Sequence, residues 1–259
     1  VRIATWNVNS IRQRLTHVLA FLKEAEPDAL CLQELKCVDP DFPRAEIEEA
    51  GWQVTTHGQK GFNGVAIISR SKLEDVRRGL PGDESDEQAR YLEGVLPLGD
   101  GVVRIASIYL PNGNPPNTEK YPYKLAWMER LAVHAKGLLA HEEPLVLAGD
   151  YNVIPEPRDA RDPAAWTGDA LFLPPTRTAF RKLQSLGFTE ALRATTDAAG
   201  LYTFWDYQAG AWQRNNGIRI DHLLLSPQAA DKLGAVSIAK HVRGWDKASD
   251  HVPVLIELS

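Results

Sequence analysis

The sequence predicts an α/β domain with strands in two packed sheets and helices outside them. Three observations carry that expectation. Short apolar runs alternate with amphipathic stretches along the whole chain. Two Pro- and Gly-rich segments, 111–122 and 155–175, lie between strongly patterned elements and read as functional loops rather than linkers. No compositional break, short tandem repeat or low-complexity tract divides the 259 residues, a length at the upper end of what one hydrophobic core serves. One domain over 1–259 is therefore expected.

Taken in order, 2–6 reads as a strand. A helix follows, with Ile11, Leu15, Val18, Leu19 and Leu22 on one face. A second buried strand, 29–32, is entered through Pro27. Further strands are expected at 64–69 and 102–110, the latter broken by the turn signal Pro111-Asn112-Gly113. Leu125, Met128, Leu131, Ala135 and Leu138 recur at helical spacing and predict a long helix from Tyr121 to about His141. A strand over 145–148 ends at Gly149-Asp150, and a helix is expected near 178–186. Strands near 202–207, 220–225, 236–239 and 252–258 complete the pattern.

Composition narrows the class without naming a function. Hydrophobic residues at 44% and charged residues at 24% fit a globular enzyme rather than a disordered or fibrous chain. No apolar run reaches bilayer-spanning length, and no basic-then-apolar leader is seen. Two cysteines, Cys31 and Cys37, are too few for a disulfide framework, and Cys31 in its apolar run reads as a buried, inert thiol. A reducing, cytoplasmic setting is the expectation. The formal charge of −5 argues against a nucleic-acid partner and toward a small-molecule enzyme, unless carboxylates are concentrated in one metal site.

Polar clusters stand where strands are expected to end. They are Trp6-Asn7-Val8-Asn9, Gln33-Glu34, Tyr109-Leu110-Pro111-Asn112-Gly113, Gly149-Asp150-Tyr151-Asn152 and Ser249-Asp250-His251. Each one alone has a bland explanation, because Asn and Asp after a strand are common turn residues. Asp221 differs: flanked by Ile218, Ile220 and Leu223, its carboxylate is costly to bury without a partner. Strand ends in layered α/β proteins can converge on one edge, which would gather Glu34, Asp150, Asp221 and Asp250. Two such charges about 4 Å apart repel by roughly 4 kcal/mol at an effective dielectric of 20. Four carboxylates therefore imply a bound cation, shifted pKa values, or both. With no Cys or His cluster of zinc spacing, hard oxygen ligands point to Mg²⁺ or Mn²⁺, a combination suited to phosphoryl chemistry.

Seven ordered blocks carry a resemblance that spans the chain. They are Ala4-Thr5-Trp6-Asn7-Val8-Asn9-Ser10-Ile11-Arg12, Leu32-Gln33-Glu34-Leu35-Lys36, Asn63-Gly64-Val65-Ala66, Tyr109 to Gly113, Gly149-Asp150-Tyr151-Asn152-Val153, Arg219-Ile220-Asp221, and Ser249-Asp250-His251-Val252-Pro253-Val254. Together they resemble the exonuclease III family of class II AP endonucleases. That resemblance implies a four-layer α-β-β-α sandwich of two mixed sheets flanked by helices, shared with DNase I-like nucleases, sphingomyelinases and inositol phosphatases. Tyr109 followed by Pro-Asn-Gly resembles the AP endonuclease branch, where the other branches have His; the bland reading is an aromatic packing over the core.

The resemblance also implies roles. Glu34 would be the principal Mg²⁺ ligand, with Asn7 orienting it or touching the metal shell, and Asp250 supporting a metal-bound water or second cation. Asp150 would align or deprotonate the attacking water, and Asn152 would hold that water and a phosphate oxygen. His251 would donate to the non-bridging oxygen, kept protonated by Asp221. Tyr109 and Asn112 would contact the scissile phosphate. Phe204, Trp205, Trp212, Ile218 and Ile220 are candidate walls of a pocket that admits a deoxyribose lacking its base. His222 should point to the opposite face of its strand from Asp221.

The expected activity is hydrolysis 5′ to an abasic site in double-stranded DNA, with 3′→5′ exonuclease and trimming of recessed or blocked 3′ ends, by a cytoplasmic, nucleoid-associated monomer. Rival readings are a phosphomonoesterase or lipid phosphodiesterase on the same scaffold, and a catalytically silent DNA-binding module. The silent module should lack at least one of Glu34, Asp150, Asp221 or His251, and all four are present.

Overall fold

The apolar runs pair into two six-stranded sheets in a computed structural model that describes residues 1–259. The first sheet holds β1 (Arg2–Asn7), β2 (Ala29–Gln33), β3 (Gln53–His57), β4 (Val65–Ser69), β11 (Leu233–Ile238) and β12 (Val254–Leu258), in the order β11-β12-β1-β2-β4-β3. The second holds β5 (Glu74–Arg78), β6 (Tyr91–Leu98), β7 (Gly101–Tyr109), β8 (Leu145–Asp150), β9 (Thr189–Glu190) and β10 (Asp221–Leu225), in the order β5-β6-β7-β8-β10-β9. The helices are α1 (Ile11–Ala25), α2 (Arg44–Glu49), α3 (Lys120–Leu139), α4 (Pro174–Ser185), α5 (Ala191–Thr195) and α6 (Pro227–Ala230).

Each sheet has one parallel pair, β1 with β2 and β7 with β8; every other pairing is antiparallel. A parallel pair needs a long crossover, and α1 and α3 supply the two that occur here. Because helices cover the outer faces, the central strands are apolar on both sides rather than alternating. Ile3, Cys31, Ile67, Ile105, Val146 and Leu223 fill the space between the sheets. Trp6, Leu30 and Ile68 face α1 through Ile11, Val18, Phe21 and Leu22. Ile108, Leu147 and Leu224 face α3 through Trp127, Leu131 and Ala135. The expected four layers are therefore present.

A polar link crosses the largely apolar interface between the sheets. Gln33 donates through Nε2 to Thr5 Oγ1 at 3.0 Å and to Ser107 Oγ of the opposite sheet at 3.1 Å. Ser107 Oγ donates in turn to the Leu32 carbonyl at 2.9 Å. Buried polar groups persist where they are bonded, and this link fixes the sheets' relation one residue before Glu34.

Three differences from the expected elements have physical causes. The segment 202–207 is not a strand: Phe204 makes only isolated bridges to Ile218 and His251, so its aromatic pattern reflects packing. β5, a charged edge strand with Val76 as its one apolar residue, has too little apolar periodicity to read from sequence; edge strands carry charges that discourage further pairing. β6 contains Gly94 and Pro97, which interrupt a strand pattern, yet a Cβ at Gly94 would lie 3.0 Å from Leu73 Cδ1, so the glycine makes room for β5's entry.

Gly149 sets how closely β7 and β8 approach, since a Cβ there would lie 2.0 Å from the Ile108 carbonyl oxygen. Gly149→Ala is expected to cost about 3 kcal/mol or more in urea titration, as overpacking against backbone cannot relax by a rotamer change. Gly137→Ala, in an open position of α3, is the control and is expected to stabilise by about 0.5–1 kcal/mol.

Candidate active site at the joined ends of the two sheets

Strand register brings the polar clusters together. In the second sheet Tyr109 is beside Asp150, and Asp150 is directly opposite Asp221. Side chains directly opposite share a face, so Asp150 and Asp221 point the same way. In the first sheet Asn7 is beside Gln33, one residue before Glu34. Glu34 leaves the strand in the left-handed region at φ 53, a conformation that costs a non-glycine residue about 1 kcal/mol and persists only where its surroundings impose it. The segment carrying His251 is fastened to β1: Ser249 Oγ donates to the Asn7 carbonyl at 2.7 Å, and Trp6 Nε1 donates to the His251 carbonyl at 3.1 Å.

At the centre, Asn7 Nδ2 donates to Glu34 Oε1 at 2.8 Å and to Asp150 Oδ2 at 2.9 Å, one amide bridging both sheets. Asn7 Oδ1 accepts from the Asn9 amide at 3.0 Å. His251 Nδ1 bonds Asp221 Oδ2 at 2.8 Å, and its Nε2 lies 3.5 Å from Asp150 Oδ2. The other Asp221 oxygen, Oδ1, is buried without a hydrogen-bond partner. Asp150 Oδ1 accepts the Asn152 amide at 3.0 Å. Asn152, left-handed at φ 48, anchors its own amide group on the Leu110 carbonyl at 2.7 Å.

Burial and charge shift the titrations. Burial raises the Asp150 carboxyl to about 7, reinforced by Asp221 and Glu34 and opposed by His251 and Asn7. Burial alone would lower His251, but Asp221 and Asp150 outweigh it and hold the imidazole well above its usual range. Its ring is therefore a cation and a donor at neutral pH. Tyr109 is raised well above the ordinary phenol range by burial and by Glu34 and Asp150, so it too remains a donor. Asp250, half-buried beside this group, is raised by burial and by Glu34.

Ligand atoms from Glu34, Asp150 and His251 lie within 4.8 Å of one another. The imidazole is already committed to Asp221 and carries charge, so the atoms free to hold a cation are carboxylate oxygens, and Asn7 bonds both carboxylates. A pair of hard oxygen donors at one spot fits a divalent cation such as Mg²⁺ or Mn²⁺. Asp250 lies outside this three-residue group.

Of the other expected site residues, Asn112 is exposed, with its Oδ1 capping the Asn114 amide at 3.1 Å. Phe204 is half-buried and stands edge-on to His251, ring centroids 5.1 Å apart. Ile218 and Ile220 are buried in a small cluster with Ile154 and Leu171, against which Phe204 packs. Trp205 departs from expectation: it is wholly buried in the core beneath α1, its Nε1 donating to Asn215 Oδ1 at 3.0 Å, and is no wall of an open pocket. Trp212 packs on Trp205 at 5.0 Å and belongs to that same side. His222 leaves β10 on the opposite face from Asp221, as alternation required; its Nε2 meets the Val153 carbonyl at 2.9 Å.

Two supporting residues escaped the sequence reading. Lys124, wholly buried on α3, donates to the Asn152 carbonyl at 2.6 Å and the Asn112 carbonyl at 3.0 Å. It ties together the loops after β7 and β8. Burial lowers its ammonium to about 7 against the pull of Asp150 and Asp169. Gly113 is required beside it, since a Cβ there would lie 2.7 Å from Lys124 Cδ at φ 85. The available signal was a lysine on the same helical face as Met128, Leu131, Ala135 and Leu138. Arg90 is the second: its guanidinium lies 5.0 Å over the Tyr109 ring and donates to the Tyr109 carbonyl at 3.1 Å.

Two mixed sheets with a carboxylate and imidazole cluster at their shared end define the class, a layered α/β phosphoester-cleaving fold. The chain belongs to the endonuclease/exonuclease/phosphatase family, whose profile matches residues 4–251. It is 31% identical to exodeoxyribonuclease III of Haemophilus influenzae, over 99% of both chains. It is 32% identical to a Bacillus subtilis exodeoxyribonuclease, over 98% of both. Among solved structures, a Neisseria 3′ phosphatase bound to a product DNA hairpin superposes at a TM-score of 0.96 with 37% identity, covering 100% of this chain and 99% of that one. An Archaeoglobus fulgidus AP endonuclease superposes at 0.95, also with 37% identity and covering 100% and 99%.

The raised Asp150 carboxyl predicts a pH-dependent stability. Between its ordinary value of 3.8 and about 7, the folded chain holds a proton that the unfolded chain has lost. Stability from this group therefore falls as pH rises through that window, and the deficit is complete above it. In EDTA, Asp150→Asn is expected to raise the thermal midpoint, by more at pH 8 than at pH 5. A midpoint lowered at pH 8 would contradict the assignment.

Proposed function

We propose that this protein is a DNA repair nuclease that hydrolyses the phosphodiester 5′ to an abasic site in duplex DNA, trims 3′ ends as an exonuclease, and uses Mg²⁺, with Mn²⁺ able to replace it. The observation that carries the reading is Asp150: a carboxylate poised near neutrality, bridged by Asn7 to Glu34 and facing the protonated His251. A carboxylate base beside a fixed cationic donor is what activation of water against a phosphodiester requires.

The residues divide the work as follows. Asp150 takes the proton from the attacking water, and Asn152 presents its amide to that water and a phosphoryl oxygen. His251, with Nδ1 held by Asp221, donates from Nε2 to a non-bridging oxygen as negative charge builds there. Tyr109, kept protonated, donates from the other side, and Asn112 contacts the same phosphate. Glu34 and Asp150 would hold the divalent cation, and Asp250 would support its solvent shell. When bound, the cation supplies positive charge to the phosphoryl group and the leaving oxygen. Water adds at phosphorus, the bond from phosphorus to the leaving 3′ oxygen breaks, and that oxygen takes a proton from solvent to end as a hydroxyl.

Phe204, packed against His251 and partly exposed, forms the wall nearest the reacting phosphate, with Ile218 and Ile220 behind it. An intact nucleotide would carry its base into that wall, and a missing base lowers the cost of flipping. The named activities of the Haemophilus, Bacillus, Neisseria and Archaeoglobus relatives support DNA as substrate. Tyr109 at the strand end weighs against a lipid or inositol phosphoesterase. The proposal includes a monomer acting on DNA in the cytoplasm; no helix is long and apolar enough to cross a membrane.

The test is a labelled duplex with one stable abasic analogue, incubated with Mg²⁺ or EDTA. Incision 5′ to the lesion is expected only with the metal, with Asp150→Asn slower by on the order of 100-fold or more. Absence of cleavage on both this duplex and a recessed 3′ end, in a folded and metal-loaded sample, would refute the proposal. Lys124→Met is expected to lower turnover by on the order of tenfold with little change in KM. The loss of two charge-assisted bonds frees Asn152 rather than removing a substrate contact.

A further inference from the structure

A cavity lined by none of the candidate active-site residues lies beside α4 and the loop that follows β8. Its volume is about 310 Å³, and five arginines line it, Arg158, Arg177, Arg181, Arg193 and Arg219, against two carboxylates, Glu156 and Glu190, with Gln184 beside them. Phe180 is its single apolar wall residue.

The guanidiniums outnumber their partners. Arg158 is paired with Glu156 at 2.5 Å and Asp197 at 3.4 Å. Arg193 and Arg219 share Asp159 at 2.7 and 2.8 Å, and Arg219 also reaches Glu190 at 3.0 Å. Arg177 and Arg181, one turn apart on α4, form no ion pair. Arg177 donates to the Pro155 carbonyl at 3.0 Å and lies 4.6 Å over the Phe172 ring, and Arg181 donates only to Thr178 Oγ1 at 3.2 Å.

The donors are also incompletely used. Arg219 is 1% exposed, yet its Nη2 has no acceptor, and neither does the buried Nε of Arg193. A buried charged donor left without an acceptor costs about 1–3 kcal/mol or more, so these two N–H groups are open to an added acceptor. Planar guanidiniums suit oxyanions, which accept paired N–H groups from several sides at once.

We propose that this cavity is a phosphate-binding site, separate from the active site, with Arg177 and Arg181 as its outer donors and Arg219 at its base. Its ligand is a phosphate group, carried either by free inorganic phosphate or by the backbone of bound DNA. The site is linked to the reaction centre through the chain itself. The Arg219 amide donates to the Asp159 carbonyl at 2.8 Å, the Tyr151 amide donates to the Ile220 carbonyl at 3.0 Å, and Asp221 follows. The proposal stands on this cavity alone and does not depend on abasic-site cleavage.

The experiment uses the full chain in EDTA at constant ionic strength, with chloride as the comparison anion. Inorganic phosphate is titrated while the thermal midpoint and binding heat are read for the unaltered protein, for Asp150→Asn, and for the Arg177→Ala/Arg181→Ala double variant. A parallel arm measures affinity for an intact duplex that is not cut in EDTA. If free phosphate is the ligand, the midpoint rises for the unaltered protein and for Asp150→Asn, and the rise is lost in the double variant. If the ligand is a DNA phosphodiester, duplex affinity falls at least fivefold in the double variant, with a shallower salt dependence. Gln184→Glu, which adds a third carboxylate to the cavity, should reproduce either loss and guards against misfolding of the double variant. A phosphate response and a duplex affinity both unchanged by these variants would overturn the proposal.

Discussion

The structure depends on the repulsion among carboxylates gathered at one end of the sandwich. Asp150 and Asp221 are opposed across a strand pair, and Glu34 arrives from the other sheet. Two features offset that repulsion within the chain. Asn7 spends one amide on two carboxylates, and His251 stands charged between Asp221 and Asp150. Burial, with what remains of that repulsion, appears as the raised pKa of Asp150, the signature of a site arranged for a charge other than its own.

Much of the fold serves to hold that arrangement rigid. The parallel pairs β1–β2 and β7–β8 point their ends at the same region, so Asn7, Glu34, Tyr109 and Asp150 follow from register alone. The Gln33–Ser107 link ties the sheets just behind them. Lys124 then clamps the loops after β7 and β8 by their carbonyls, a role open to a buried cation whose acceptors cannot titrate. Functional groups supported in this way are placed more accurately than loop residues free to move.

The sequence allowed most of this arrangement to be read because strand-end polar residues contrast with the apolar runs before them. The isolated carboxylate Asp221 in an apolar strand was the clearest single sign of an unusual environment. Its partner His251, thirty residues later, came from resemblance rather than pattern. Features whose cause is tertiary were harder to read. Trp205 carries the same aromatic signal as Phe204, but adjacent residues in extended chain face opposite ways, one toward His251 and one into the core. β5 was hidden because its stability comes from pairing with β6 rather than from apolar periodicity. Net charge misdirected the first inference about partners, since a sum over the chain says nothing of where carboxylates are concentrated.

The site geometry leaves this carboxylate group incomplete without a divalent cation. Calorimetric titration of Mg²⁺ into the chelator-treated protein, in buffers of different ionisation enthalpy at pH 6 and pH 8.5, tests it most directly. The account predicts saturable binding that Glu34→Gln weakens at least tenfold. It also predicts proton release that is larger at pH 6, where Asp150 still carries its proton, than at pH 8.5. Binding unaffected by Glu34→Gln, or proton release no larger at pH 6 than at pH 8.5, would contradict it.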